Sequence, residues 1–245
     1  MAVRSRSPNT DRPFTCTGLG DRIHTVTVGW CYGPPVTLHL TKDKWQGGQF
    51  GNKPQSWAEI IGLFPANTIR LQVHNVHGLS EREWVQYLQA QGHDARPYWY
   101  SDHPAKQEQA ERIDIAPYLT DIPRLHAQQQ DIELPRAYVT AQWDANGAAR
   151  RVANPGRIEQ GYGRAGYTIL RVGGEAEDSR LRWSLPHIAY AMSRAAYHVG
   201  VDSAFMHLAQ LYMEAERIHL YNTQANPSHH VRRLLDRGGR LNVYA

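Results

Sequence analysis

Short apolar runs alternate with capped helical stretches along most of this chain, and that alternation restricts its fold more than any other feature. A strand-sized apolar run, a helix and a second strand-sized run make a βαβ unit, in which the two strands lie parallel. The clearest unit lies between Ser193 and Asn222. Ala196–Val201 has the length and apolar character of a buried strand. Asp202 and Ser203 follow, both N-cap types, with an apolar helical run directly behind them. Arg217–Tyr221 is the second strand. The turn that opens the helix gathers Asp202, Ser203 and, one turn on, His207. In open α/β sheets ligands bind at the carboxyl ends of the strands, and a helix N-terminus there offers free N–H groups to a phosphate.

The same pattern recurs on both sides of a polar break. Strands are expected at Phe14–Thr17, Pro35–Leu40, Thr68–Val73, Ala137–Trp143 and Gly166–Val172. Helices are expected at Ser56–Phe64, opened by an S-x-x-E capping box, at Ser80–Gln91, at Ser184–Met192 and, with a basic face, at His229–Arg237. The glutamine-rich HAQQQD stretch marks a boundary near residue 130. The expected organisation is a disordered basic arm over 1–13, one Rossmann-like domain over 14–130, a second over 131–225, and a closing helix and tail over 226–245.

The chain has 245 residues, 41% of them hydrophobic, and a formal charge of +4, a mild bias toward anionic partners. No apolar run reaches the roughly 18–20 residues of a membrane span, and the N-terminus has no apolar h-region. Cys16 and Cys31 suggest no disulfide framework, so a reducing cytoplasm is expected, with a peripheral place at an inner membrane face or in a phage-infected cell as variants. His74 and His77 form an H-x-x-H, but no Cys or carboxylate stands at ligand spacing, so no metal site is expected. His74 is read instead as a residue lining a cleft. The loop over 42–54 carries Trp45 among Lys42, Lys44 and Lys53, a mixture able to grip an acceptor or single-stranded nucleic acid.

Two segments carry a family resemblance. VGVDSAFMHLA, from Val199 to Ala209, resembles the (I/V)GxDSGxxHLA segment of GT-B glycosyltransferases, most closely the heptosyltransferase-type enzymes of family 9. It departs from the pattern at Ala204, where the family has Gly. Gly18-Leu19-Gly20-Asp21 resembles the (G)xGD turn that opens the acceptor domain of the same family. The resemblance implies a shortened GT-B fold, two Rossmann-like βαβ domains facing across a cleft. It implies a metal-independent, inverting transfer from a nucleotide-sugar donor. No cofactor is expected beyond that nucleotide-diphosphate sugar as co-substrate, and the chain has no D-x-D pair to hold a metal on it.

Carried over by position, Asp21 is the general base, and Asp202, Ser203, Ala204 and His207 hold the donor, with Gln142 of the strand expected at Ala137–Trp143. Gly173-Gly174-Glu175 match a GG(x)E turn beside the nucleoside, and Arg150 or Arg151 stands where the family has a basic turn near the phosphates. Gly18, Gly20, Arg22, Lys44, Trp45 and His74 are the acceptor-side set. The implied acceptor is a lipopolysaccharide or other glycan hydroxyl; the basic arm and the Trp/Lys loop also admit a hydroxymethylated base in phage-type DNA. Two other readings stay open: a nucleotide-sugar epimerase, and a non-catalytic nucleic-acid- or partner-binding protein on the same fold.

Overall fold

The computed structural model describes residues 12–13, 19–31, 35–42, 49–50, 53–54, 57–79, 81–93, 98–99, 113–114, 124–145, 150–173, 184–222, 234–235 and 237–243. The chain forms two compact units, Met1–Gln49 with Gln55–Pro123, and Phe50–Pro54 with Arg124–Ala245. The division falls before the boundary expected near 130. The reason is local: Leu125 N–H donates to Leu211 O at 2.7 Å and Arg124 pairs with Glu214 at 2.7 Å, so these residues belong to the second unit.

In the first unit, β1 (Arg12–Pro13), β2 (Val36–Thr41) and β3 (Ile69–His74) form a parallel sheet in the order β1-β2-β3. β1 pairs Arg12 with Leu38, so the sheet reaches into the segment expected to be a disordered arm. The strand expected at Phe14–Thr17 lies outside the described residues. α1 (Leu19–Cys31) follows β1, and α2 (Trp57–Ile61) and α3 (Glu81–Ala90) flank β3 in sequence. Gly20 and Asp21 are therefore in the first turn of a helix and not in an open glycine turn. Leu19, Ile23 and Val26 recur at helical spacing and are all buried, and that burial outweighs the roughly 1 kcal/mol cost of one helical glycine.

The second unit is a five-stranded, wholly parallel sheet. Its elements run β4 (Tyr138–Gln142), α4 (Pro155–Arg164), β5 (Thr168–Arg171), α5 (Leu185–Arg194), β6 (Tyr197–Gly200), α6 (Ala204–Tyr212), β7 (Ile218–Asn222) and β8 (Arg240–Val243). The strand order is β8-β7-β6-β4-β5. Two elements were not expected: α4, capped by Asn154 with Pro155 in its first turn, and β8, which reads in sequence as a tail. Of the expected basic helix at 229–237, only Leu234–Leu235 are described as helical.

Register assigns the sheet's faces. Tyr138, Thr140, Gln142, His198, Gly200, Ile218 and Leu220 share one face, and the Tyr138 hydroxyl on it donates to Ala191 O of α5. α6 packs with α5 and against β6 and β7, and eight of its nine residues are buried, so it is apolar all round as a core helix must be. Val139, Ala141, Val199 and Val201 share the other face, where Val201 packs against Ile158 of α4. Each fully buried Val, Ile or Leu of these layers contributes about 1.5–3 kcal/mol relative to exposure.

Candidate functional site

β4 sits between β5 and β6, the strands that follow it by crossovers in opposite directions. That is the topological switch point of a doubly wound sheet, where diverging loops leave a crevice at the carboxyl ends of the strands. By that rule the crevice belongs between the end of β4 and the end of β6, at Gln142 on one side and Asp202 and Ser203 on the other. Five of the residues expected to hold a donor meet at this place: Gln142, Gly173, Asp202, Ser203 and Ala204.

The two strand ends are tied together. Val201 N–H donates to Gln142 O at 3.1 Å, continuing the ladder past Gly200. A Cβ on Gly200 would run into the Gln142 carbonyl, so only glycine lets the strands close here. The Ser203 hydroxyl donates to Gln142 Oε1 at 2.7 Å and accepts from Phe205 N at 3.3 Å, which makes Ser203 both the N-cap of α6 and a clamp on β4. Gln142 Nε2 then donates to Asp144 O at 2.8 Å. Gly173, just beyond β5, has φ +65° and lies against the Phe205 ring, which brings the third loop onto the start of α6.

Asp202 is 3% exposed and held in place, Ala204 is 8% exposed, and His207 is half-buried one turn into α6. The start of α6 carries the partial positive charge of a helix N-terminus, where the Ser203 hydroxyl takes the Phe205 N–H and the Ser203 carbonyl the Met206 N–H. Arg150 and Arg151 are exposed, and Arg151 Nε donates to Ala145 O. Gly174 and Glu175 lie outside the described residues.

In the first unit, Asp21 is the third residue of α1. Gly20 lies beside it, half-buried, while Gly18, Lys44 and Trp45 are outside the described residues. Arg22, expected on the acceptor side, is 1% exposed, with its guanidinium carbon 5.1 Å from the Trp57 ring centre. Burial lowers its pKa. It packs as a core residue, because the face of α1 that holds Leu19, Ile23 and Val26 also holds position 22.

His74 is likewise buried, and its Nε2 shares a 2.8 Å hydrogen bond with His39 Nδ1. The His93 ring lies 4.2 Å from that of His39. Burial first, then His39 and His93, depress the His74 pKa. Sequence paired His74 with His77, which is exposed; the true partner is brought in by the parallel register of β2 and β3. Among the described residues no group of three or more His, Cys, Asp or Glu side chains is arranged to hold a metal ion. No described helix is long and apolar enough to cross a membrane.

No protein-family model matches the chain, and no curated protein matches it by sequence. Solved structures do. The ADP-heptose lipopolysaccharide heptosyltransferase II of E. coli aligns over 95% of this chain and 89% of its own, with a TM-score of 0.50 and 12% identity. The fold is that of the GT-B heptosyltransferases. TibC, an iron-containing dodecameric heptosyltransferase of enterotoxigenic E. coli solved with ADP-D-beta-D-heptose, aligns over 86% of this chain at 11% identity and a TM-score of 0.50. The chain spans 57% of the length of TibC. Within the GT-B heptosyltransferase fold, the Val199–Ala209 segment forms the end of β6 and the first two turns of α6, the strand–turn–helix context that its sequence pattern requires.

Proposed function

We propose that the protein is a nucleotide-sugar-dependent glycosyltransferase whose donor diphosphate rests on the N-terminus of α6. One observation carries the reading: Gln142, Asp202 and Ser203 meet at the β4/β6 switch point, where Ser203 caps α6. The helix N–H groups, His207 and Arg150 or Arg151 offset the charge that grows on the departing phosphate. The resemblance of Gly173-Gly174-Glu175 to the family's GG(x)E turn supports a role for it at the nucleoside, with Glu175 accepting from a ribose hydroxyl.

In the reaction, Asp21 takes the proton of an acceptor hydroxyl, the hydroxyl oxygen attacks the anomeric carbon, and the bond from that carbon to the diphosphate breaks with inversion. Without a D-x-D pair in the sequence, protein groups carry the neutralisation and the transfer runs without a divalent metal. The likeness to an ADP-heptose lipopolysaccharide enzyme favours an ADP-sugar donor and a glycan hydroxyl as acceptor.

Thermal shift with ADP, UDP, GDP and CDP, followed by calorimetry, tests the donor side. One diphosphate should stabilise the chain by about 2.7 kcal/mol at a hundredfold excess over its Kd. His207→Ala should abolish the shift. Asp21→Asn should bind the donor as the native chain does and fail to transfer. Normal transfer by Asp21→Asn removes Asp21 as the base, and no stabilisation by any diphosphate overturns the donor reading.

A further inference from the structure

A concavity lies on the face of the five-stranded sheet that carries α4, opposite the face of Gln142, and its Ile158, Tyr162 and Tyr221 pack with Val201. It encloses about 740 Å³, within the roughly 300–1,000 Å³ range of small-molecule sites. Its floor is Tyr197 of β6, His219 and Tyr221 of β7 and Asn242 of β8, and the second half of α4 forms one wall. These strand residues alternate with Ile218 and Leu220, which face the α5 and α6 side. A sheet face meant to receive another packed helix would carry an apolar residue at each of these positions. This face carries rings and polar groups instead.

Rings and an amide make the floor and arginines the rim. Tyr162 of α4 shares hydrogen bonds with His219 Nδ1 and, at 3.2 Å, with the Tyr221 hydroxyl. Burial, then Arg240, lowers the His219 pKa to about 4, and burial with the Tyr221 hydrogen bond raises that of Tyr162, so neither is charged near neutrality. The ring pair Tyr197–His219 lies 4.7 Å apart and Tyr167 meets Tyr197 edge-on. Arg157, Arg164 and Arg240 complete the lining, exposed and with no ion-pair partner among the described residues. Among the described residues no carboxylate lines it; Glu159, the acid of α4, is turned to Arg171.

Half-buried rings inside a ring of unpaired guanidinium groups suit a ligand with a planar body and a phosphate. We propose that this cavity binds a phosphorylated nucleoside, either free or as one residue of a single-stranded nucleic acid, at a place separate from the switch point.

The test uses the full chain and two probes, adenosine 5′-monophosphate by calorimetry and a fluorescein-labelled dT12 by anisotropy. Arg164→Glu/Arg240→Glu, two exposed changes that leave the core untouched, should weaken the bound probe at least tenfold. Asp202→Ala and His207→Ala, which disable the donor site, should leave this arginine-dependent binding in place. If dT12 binds and the mononucleotide does not, the source is a single strand, and log K against log salt should fall with a slope of about −2 for three phosphate contacts. If the mononucleotide binds as well as dT12, the free nucleotide is the ligand. Failure of both probes to bind overturns the proposal. So does binding of which no part is lost in the double arginine change, or of which none remains in Asp202→Ala.

Discussion

Ser203 and Gln142, 61 residues apart, meet over 2.7 Å at the carboxyl ends of β6 and β4, with the serine hydroxyl donating to the amide oxygen. The same hydroxyl caps α6. One oxygen atom thus fixes the helix terminus to the strand on the other side of the crevice. The shape of the crevice depends on that link, since it sets where the α6 N–H groups stand relative to β4.

Ser203→Ala removes a cap and a buried hydrogen bond together, a loss of about 1–2 kcal/mol, or roughly 2–8 °C in Tm for a chain of this size. Gln142→Leu alone should cost less, because leucine fills the space but leaves the serine to its capping bond. A thermal-melt double-mutant cycle should give a coupling of about 1 kcal/mol between the two positions. Strict additivity would mean that the pair does not hold the crevice.

Much of this was legible in advance, for identifiable reasons. β6 and α6 stood out because an apolar run ends at Asp202-Ser203, two N-cap types, and an apolar helix follows. The contact of Gln142 with Ser203 was not legible as a bond, since it exists only once β4 and β6 are neighbours, and strand order is not written in either strand. α4 was hidden by Gly156, Gly161 and Gly163, which lower helix propensity; the overlooked clue was Asn154-Pro155, an N-cap followed by a first-turn proline. β8 was hidden because its alternation, with Arg240 and Asn242 on one face, reads as a polar tail. The burial of Arg22 was not legible either: a long cation beside Asp21 suggests an exposed site, while its position on the apolar stripe of α1 decides its burial.

Glu159 and Arg171 should not be interchangeable in their effects. Arg171 donates to both carboxylate oxygens of Glu159, at 3.0 and 2.7 Å, and Trp143 Nε1 adds a third bond at 2.8 Å. The arginine side chain is 48% exposed and the glutamate 9%. Removing the acid lets the guanidinium return to water; removing the arginine strands a buried carboxylate. Arg171→Ala should therefore lower the Tm by more than Glu159→Gln, and the reverse order would show that the pair is not held as the structure has it.

Gly173 and Gly166 offer a matched comparison. Both have positive φ, +65° and +89°, but only Gly173 has a neighbour, the Phe205 ring, in the place of a Cβ. Gly166→Ala should cost the backbone strain alone, about 1–2 kcal/mol. Gly173→Ala adds overpacking of about 1–3 kcal/mol against α6 and should also weaken diphosphate binding. Equal melting temperatures for the two variants would remove the Gly173–Phe205 contact from the architecture of the crevice.

His198 sets a pH dependence with a definite sign. It is fully buried beneath the α5 and α6 layer, shares a 3.1 Å hydrogen bond with Thr140, and its Nε2 has no partner among the described residues. Burial, with a smaller part from His219, lowers its pKa from 6.5 to about 3. The unfolded chain binds a proton at this position as pH drops through 6.5, while the folded chain resists until about 3. Stability from this residue is thus complete above 6.5 and lost as pH falls, by about 2 kcal/mol between pH 7 and pH 5. His219, lowered to about 4, acts in the same direction, and more weakly because its ring is near an open cavity. Melting curves from pH 7.5 to 5 should show a falling Tm, and His198→Phe should flatten that fall by about half or more. A Tm that is level over this range would mean that His198 is protonated as easily folded as unfolded, which its burial forbids.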